Sequence, residues 1–468
     1  MLTIKQIFSN YEFMKPIQVS GWVQTTRSQK DMTFIKLNDG THAEGIQVVV
    51  NNSNNKYTVG TSLEVRGQLV ESPAQGQLFE LVADEIIVLG TAEPSEYPLS
   101  KGKMSLDYLR NYQHLRARTN TFGCVFRIKS AISHATHRFY EEEGFLHLDP
   151  NILTINECEG GAGVFQVTEK DISIPSKLQL MTVEMKDENG KTFKKQTEEY
   201  NWDQDHFKKP VYLTVSSQLS LEPLACSLGK VYTTNKSFRS EHSSTHKHLS
   251  EFTHLEIEAC FLDLNKLMNV GERYIKYVAS YLLDKCKSDI DVLSSFVSKG
   301  LKERLETIVS VNFARVRYQD AIKIAQDNNK IISYGEDLSS EIETFLTEYF
   351  NGPVFVTHWP ISIKSFYMKR NLENSNLCDN FDLLMPYRVG ELIGGSMRED
   401  DYFKLIEMMN IKGVSEEPMK FYTDLRKFGS VQHGGFGLGL DRMTMLFTGM
   451  ENIKDTVPFP VYFQSCEY

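Results

Sequence analysis

The residues best suited to chemistry lie in FRSEHSSTHKHLSEFTHLEIE, residues 238–258. Phe238 starts it, then come Arg239 and Glu241, a His-rich polar loop, Phe252, and an alternating run from Thr253 to Glu258. Two strands joined by such a loop would offer a guanidinium, several polar groups and one ring. A guanidinium forks two N–H donors onto phosphate oxygens, and a ring gives a base a stacking face. The plain alternative is a surface hairpin with ordinary charges. A second segment, HGGFGLGLDRMTMLF at 433–447, reads as a Gly-rich strand entering a helix, with Arg442 on the first turn. Glycines allow close backbone approach to a ligand. The segment matches neither a phosphate-loop motif nor a dinucleotide fingerprint.

Elements must hold these residues. Residues 1 to about 90 alternate apolar and polar positions in IQVSGWV, TFIKL, GIQVVV, LEVRGQLVE and FELVADEIIVLG, with turn signals NDG and SPAQG between them. Five such strands predict a small Greek-key barrel of the OB type. TAEPSEYPLSKGK, 91–103, carries Pro94 and Pro98 without periodicity and reads as a linker. Val125, Ile128, Ile132, Ala135 and Phe139 recur at helical spacing, and Gly144 is placed to end that helix. The charge-dense stretch 183–210 reads as a surface loop or insertion. Strands alternating with helices up to the C-terminus complete an α+β chain.

Composition sets bounds. A chain of 468 residues and 53.7 kDa exceeds one core and divides into two or three domains. Hydrophobic residues at 41% and charged residues at 24% suit a globular protein, and no apolar run is long enough to cross a bilayer. The seven cysteines form no CxxC pair, which argues against a zinc site or a disulfide framework and for a reducing, cytoplasmic location. The net charge of −10 argues against gripping nucleic acid over the whole surface, but a local basic face stays open.

Taken together, the two segments resemble motifs 2 and 3 of the class II aminoacyl-tRNA synthetases. The helix near 123–143 with GFLHLDP and Pro150 resembles motif 1. YPLSKGKMSLDYLRNYQHLRART (97–119), EGGAGVF (159–165), SSQLSLE (216–222), FDLLMP (381–386) and GELIGGSMRE (390–399) are similar to the subgroup that charges aspartate, asparagine and lysine. The resemblance runs along essentially the whole chain. It implies an OB-type anticodon-binding barrel over 1–92, a hinge over 93–120, and a class II antiparallel-sheet catalytic domain over 121–468.

Aspartyl members carry a lysine three positions after the glutamine of SxQL. Here the glutamine is Gln218 and that position is Leu221, which removes a cation that would favour aspartate. FYTDLRKFG (421–429), IKSFYM (363–368) and IGGSMR (393–398) look asparaginyl, of the cytosolic eukaryotic kind. The resemblance then implies ligation of asparagine to tRNA(Asn) through an adenylate. Arg398 would donate to the side-chain carbonyl of asparagine and Glu241 would accept from its NH2, while Glu159 and Gln218 would hold the α-ammonium end. For ATP it implies Arg239 on the α-phosphate, Arg442 on the γ-phosphate and adenine, and Phe252 on the other adenine face. His248 would serve the β- or γ-phosphate, with Glu241, Leu249 and Glu391 lining the site. Asp382 and Glu391 would hold Mg²⁺. In the barrel, Phe34 would stack on the central anticodon base and Gln47 would bond it, beside Arg27; the plain alternative makes Phe34 a core residue and Gln47 a solvated one.

The chain departs from the pattern at His242, at Lys247 in place of a common arginine, at Val461 in place of arginine after FP, and in the extra residue around Tyr387–Arg388 before Glu391. Competing expectations are an aspartyl or dual-specificity enzyme, a paralogue that keeps tRNA binding with weakened catalysis, and an amide-forming relative that makes free asparagine. Motif 1 implies a homodimer.

Overall fold

The computed structural model describes residues 2–51, 57–99, 104–156, 163–171, 180–188, 190–243 and 245–468. Glu159 lies outside the described residues, as do 100–103 of the linker.

Alternation closes the first part into a barrel. β1 (Pro16–Gln29), β2 (Met32–Asn38), β3 (Ile46–Asn51), β4 (Ser62–Glu71) and β5 (Phe79–Gly90) join in the order β1-β2-β3-β5-β4. Val19, Ile35, Leu37, Val48, Leu63, Val65 and Leu81 fill its interior. A short helix missed in the sequence, α1 (Ile4–Ser9), plugs one end with Ile4 and Ile7. Thr3 and Gln6 form its capping box. Six residues carry too little periodicity to announce a helix.

Two short helices, α2 (Leu106–Arg110) and α3 (Gln113–Arg116), follow. They anchor on the chain's end: Arg110 pairs with Asp455, and the wholly buried Arg116 donates to the carbonyls of Lys454, Val457 and Pro458. Then comes α4 (Asn120–Glu142), capped by Thr119, which buries Val125, Ile128, Ile132, Ala135 and Phe139 as the spacing predicts. Gly144 takes φ 77° just beyond it. Arg127 of α4 donates to the Gly40 carbonyl at 2.7 Å and to Asp289 at 2.9 Å, which ties the barrel to the rest of the fold.

Strands β6 (Leu146–His147), β7 (Leu153–Thr154) and β8 (Gln166–Val167) lead to the stretch read as a loop. It folds instead into an antiparallel hairpin, β9 (Leu180–Lys186) and β10 (Thr192–Tyr200). Met181, Val183 and Met185 recur at the strand period of two, a signal that the surrounding charge density masks.

The remaining chain alternates β11 (Val211–Leu213), α5 (Gln218–Leu228), β12 (Lys230–Phe238), β13 (Glu251–Cys260), α6 (Leu264–Lys285), α7 (Lys287–Phe296) and α8 (Leu301–Ser310). It continues through β14 (Ala314–Arg317), α9 (Tyr318–Asp327), α10 (Ser340–Tyr349), β15 (Val354–Thr357), β16 (Asn380–Met385) and β17 (Gly390–Met397). It ends with α11 (Tyr402–Ile411), α12 (Lys420–Lys427), β18 (His433–Gly439) and α13 (Leu440–Thr448). Eight strands form one sheet in the order β14-β15-β16-β17-β18-β13-β12-β6, antiparallel except at its two outer pairs. Helices α4, α6, α7 and α8 cover one face with a large apolar core. The other face is left for polar side chains of β13, β16 and β17.

Candidate active site

Strands β12 and β13 pair over their whole length, so Arg239 and Phe252 emerge side by side where the hairpin ends. The Arg239 amide donates to the Ser250 carbonyl at 3.0 Å, and its guanidinium carbon lies 5.5 Å from the Phe252 ring centre. Leu249 is buried against Met445 and Ile453, fixing the returning arm of the loop on α13. Glycines of β18 let α13 start close to the sheet; a Cβ on Gly435 would sit 2.0 Å from the Ile257 carbonyl. Arg442 therefore opens from the first turn of α13, and its Nη1 donates to the Glu391 carbonyl at 2.6 Å.

His248 sits among these groups. Burial lowers its pKa, Glu241 raises it, and Arg442, Arg239 and Lys247 lower it further. Ser243 and Thr245 contact its Nδ1 at 2.9 and 2.6 Å. The fold thus brings Arg239, Glu241, His248, Phe252 and Arg442 close together. Buried His254, on the same strand face as Phe252, was not foreseen; burial lowers its pKa as well.

The departures find their places. Ser250 donates from its amide to the Val461 carbonyl at 2.8 Å, so position 461 supports the loop through its backbone. The His242 ring stacks on Phe463 at 4.9 Å. Lys247 lies 3.9 Å from Glu343 of α10, which also accepts the Glu391 amide at 3.2 Å. Burial pushes the Glu343 carboxyl up to about 6 against the pull of Lys247. Glu343 lies 48 residues from Glu391 and far along the chain from Lys247, and no local pattern marks it.

Tyr387 and Arg388, read in the sequence as lengthening the interval before Glu391, lie in the β16–β17 turn. Tyr387 and Arg388 have φ 64° and 65°, and a bulge shifts the register between Leu383 and Leu384. Asp382 still pairs with Gly394, over which both acids gather: a Cβ there would meet Glu391 Oε1 at 3.0 Å and Asp382 Oδ1 at 3.8 Å. Lys364 holds Asp382 Oδ2 at 2.8 Å. Burial pushes the Asp382 carboxyl up to about 7, with Lys364 opposing and Glu391 adding to the rise. Two hard oxygen donors with Oδ1 left open suit a cation that takes most of its remaining ligands from phosphates and water. Among the described residues, no group of three or more acids, histidines or cysteines could hold a metal on its own.

At the other end, α5 and β17 enclose a buried charged cluster. Gln218 donates to Glu222 at 3.0 Å. Glu222 also accepts from the Tyr422 hydroxyl at 2.7 Å, from Arg426 at 2.8 Å and from the His433 ring at 3.0 Å. Burial alone would raise Glu222, yet Arg426, His433 and Arg398 hold it below the usual carboxylate range. Arg398 pairs with Glu258 and donates to Ser396 at 2.6 Å. The acid against Arg398 is therefore Glu258, with Glu222 at 3.9 Å, while Glu241 stays by His248 in the loop. Leu221 is wholly buried among Ala225, Val231 and Cys260 and brings no cation to this end. Glu222, Glu258, Tyr422, Arg426 and His433 went unread because they come from four separate elements.

On the barrel, Phe34 and Gln47 share the outer face of β2 and β3, so Phe34 is not a core residue. Arg27 pairs with Phe34 across β1 and β2, its guanidinium carbon 5.4 Å from the ring. Gln47 donates to Glu80 at 2.9 Å, which Ser72 and Gln77 also reach.

Comparison with known proteins bears on this arrangement. The family described as "tRNA synthetases class II (D, K and N)" matches residues 105–462, and the "OB-fold nucleic acid binding domain" matches residues 17–89. An asparagine--tRNA ligase of Azobacteroides pseudotrichonymphae is 39% identical over 99% of this chain and 98% of its own length. The chain belongs to the class II tRNA synthetases, in the asparagine--tRNA ligase family. Another member, from Parabacteroides distasonis, is 40% identical over 98% of this chain and 97% of its own length. The asparaginyl-tRNA synthetase of Pyrococcus horikoshii, solved with asparaginyl-adenylate, superposes with a TM-score of 0.82 at 29% identity, covering 97% of this chain and 96% of that one. The α+β reading, barrel followed by antiparallel catalytic sheet, stands. The sequence likeness to cytosolic eukaryotic members is narrower than anything these relatives carry.

Proposed function

We propose that this chain activates L-asparagine with ATP and ligates it to tRNA(Asn). Full-length similarity to asparagine--tRNA ligases carries the reading, and the gathering of Arg239, Phe252 and Arg442 around His248 supports it. The asparagine carboxylate attacks the α-phosphorus of ATP; the bond to the β-phosphate oxygen breaks and pyrophosphate leaves. The 3′-hydroxyl of the tRNA then attacks the adenylate carbonyl, loses its proton, and AMP leaves. Neither step requires a protein nucleophile, so positioning and charge neutralisation do the work.

Arg239 binds the α-phosphate, and Arg442 the γ-phosphate with its guanidinium against adenine. Phe252 takes the other adenine face, and Leu249 and Glu241 line the ATP site. His248, whose pKa burial lowers, offers an uncharged donor to the β- or γ-phosphate. Asp382 and Glu391 would hold Mg²⁺, which supplies charge neutralisation on the phosphates when bound. Arg398 reads the side-chain carbonyl of asparagine; Glu159, Gln218 and Glu241 complete the amino-acid set. Phe34, Gln47 and Arg27 take the anticodon. A homodimer is supported by Leu146 and Phe261, 50% and 77% exposed near the β6 edge of the sheet; sedimentation as a monomer at micromolar concentration would count against it. No helix among the described residues is long and apolar enough to cross a membrane, which is compatible with a cytoplasmic location.

ATP–pyrophosphate exchange tests the reading. Asparagine should stimulate exchange, and Arg239→Ala should abolish it. Stimulation by aspartate alone would favour the aspartyl reading. No exchange with any amino acid would favour the paralogue reading.

A further inference from the structure

We propose that Lys129 and Asp441 form a clamp that sets the spacing between the two groups facing adenine, making both positioning residues for ATP. The inference rests on the ATP site described above. Asp441 is buried, and its two carboxylate oxygens are divided between two elements. Oδ2 accepts the Thr253 amide at 2.9 Å, and Oδ1 receives Lys129 Nζ at 2.5 Å. Thr253 directly follows Phe252, and Arg442 directly follows Asp441. One carboxylate thus ties the strand residue beside the ring to the helix residue beside the guanidinium.

Sheet pairing does not do this job. The β13–β18 ladder stops at His254 opposite Gly439, one residue short of Thr253. Beyond that point Asp441 replaces the missing strand partner for the Thr253 amide. Lys129 comes from α4, a different layer, and neutralises Asp441. Its Nζ also donates to the Thr456 carbonyl at 3.0 Å, so the C-terminal segment is held by the same ammonium. A charge-assisted tether at a buried carboxylate fixes geometry more tightly than a neutral bond. Lys129 is too far along the chain from both motifs to be read as part of the site.

The test uses the full chain and titration calorimetry with α,β-methylene-ATP and Mg²⁺, alongside exchange kinetics. Lys129→Met should weaken analogue binding about tenfold, the factor ~1.4 kcal/mol produces. Asparagine KM should move less than about twofold, and Lys129→Arg should restore most of the affinity. Asp441→Asn keeps an acceptor for Thr253 but loses the ion pair. It should match Lys129→Met, and the double variant should be no worse than either, since the two act as one unit. A lowered Tm in both variants with unchanged analogue affinity would overturn the clamp, as would equal changes in ATP and asparagine KM. If the wild-type chain shows no exchange yet Lys129→Met still weakens the analogue, the ligase reading fails and the clamp stands. If the wild-type chain binds no analogue, the clamp falls too.

Discussion

Arg398 grips Glu258 through two nitrogens, with Nη2 2.5 Å from Oε1 and Nε 3.2 and 3.3 Å from the two oxygens, and both side chains are buried. Burial pushes the Glu258 carboxyl up to about 7, with Arg398 opposing and Glu222 adding to the rise. Arg398→Ala should abolish asparagine-dependent exchange and cost roughly 3–5 kcal/mol of stability, the usual consequence of leaving one buried charge unpaired. The loss should be larger at pH 8 than at pH 6, where Glu258 can take a proton. Denaturant unfolding at the two pH values checks this, and an equal loss at both would speak against the pairing as described.

Glu343 makes a second pH prediction. Its folded pKa of about 6 lies above the unfolded value of 4.5. A raised folded pKa means the stabilising contribution is complete below 4.5 and is lost as pH rises through about 6. Glu343→Gln keeps an acceptor for the Glu391 amide and removes the titration. The variant should gain Tm relative to the parent between pH 5 and 7. Parallel Tm curves across that window would contradict the assignment.

Phe34 bears on the nucleic acid alone. Phe34→Ala should leave ATP–pyrophosphate exchange unchanged and raise the KM for tRNA about 5- to 150-fold, the range a lost stacking contact of ~1–3 kcal/mol gives. Steady-state charging against tRNA concentration reads it directly. A drop in exchange would mean the barrel face is structural instead.

Val461 is one of the positions where the sequence departs from the expected pattern. Its carbonyl, not its side chain, meets the Ser250 amide. Val461→Ala should therefore keep exchange within about twofold of the parent, as expected for a side chain away from the special interactions. A tenfold loss would show that the side chain itself serves the loop.

How much of this could be read in advance follows from locality. Barrel strands announce themselves because Val19, Ile35, Val48 and Val65 alternate with outward residues, a signal contained in a few neighbours. Arg239, Phe252 and Arg442 lie in short motifs whose chemistry is compact. Helix α1 and the β9–β10 hairpin were hidden, the first by brevity and the second by charge. The cluster of Glu222, Glu258, Arg426 and His433 was invisible for another reason. Each residue is unremarkable in its own segment, and only the sheet order β17-β18-β13 with α5 and α12 behind it brings the four together. Leu221 illustrates the reverse, since its meaning lies in the charge it lacks while its side chain is plain core.

The most direct measurement is charging itself: incubate the full chain with ATP, Mg²⁺, tRNA(Asn) and labelled asparagine or aspartate, then release and identify the attached amino acid. Asparagine on the tRNA, with aspartate at background, is the predicted result. Aspartate on the tRNA, or no aminoacyl-tRNA with either amino acid, would contradict the account.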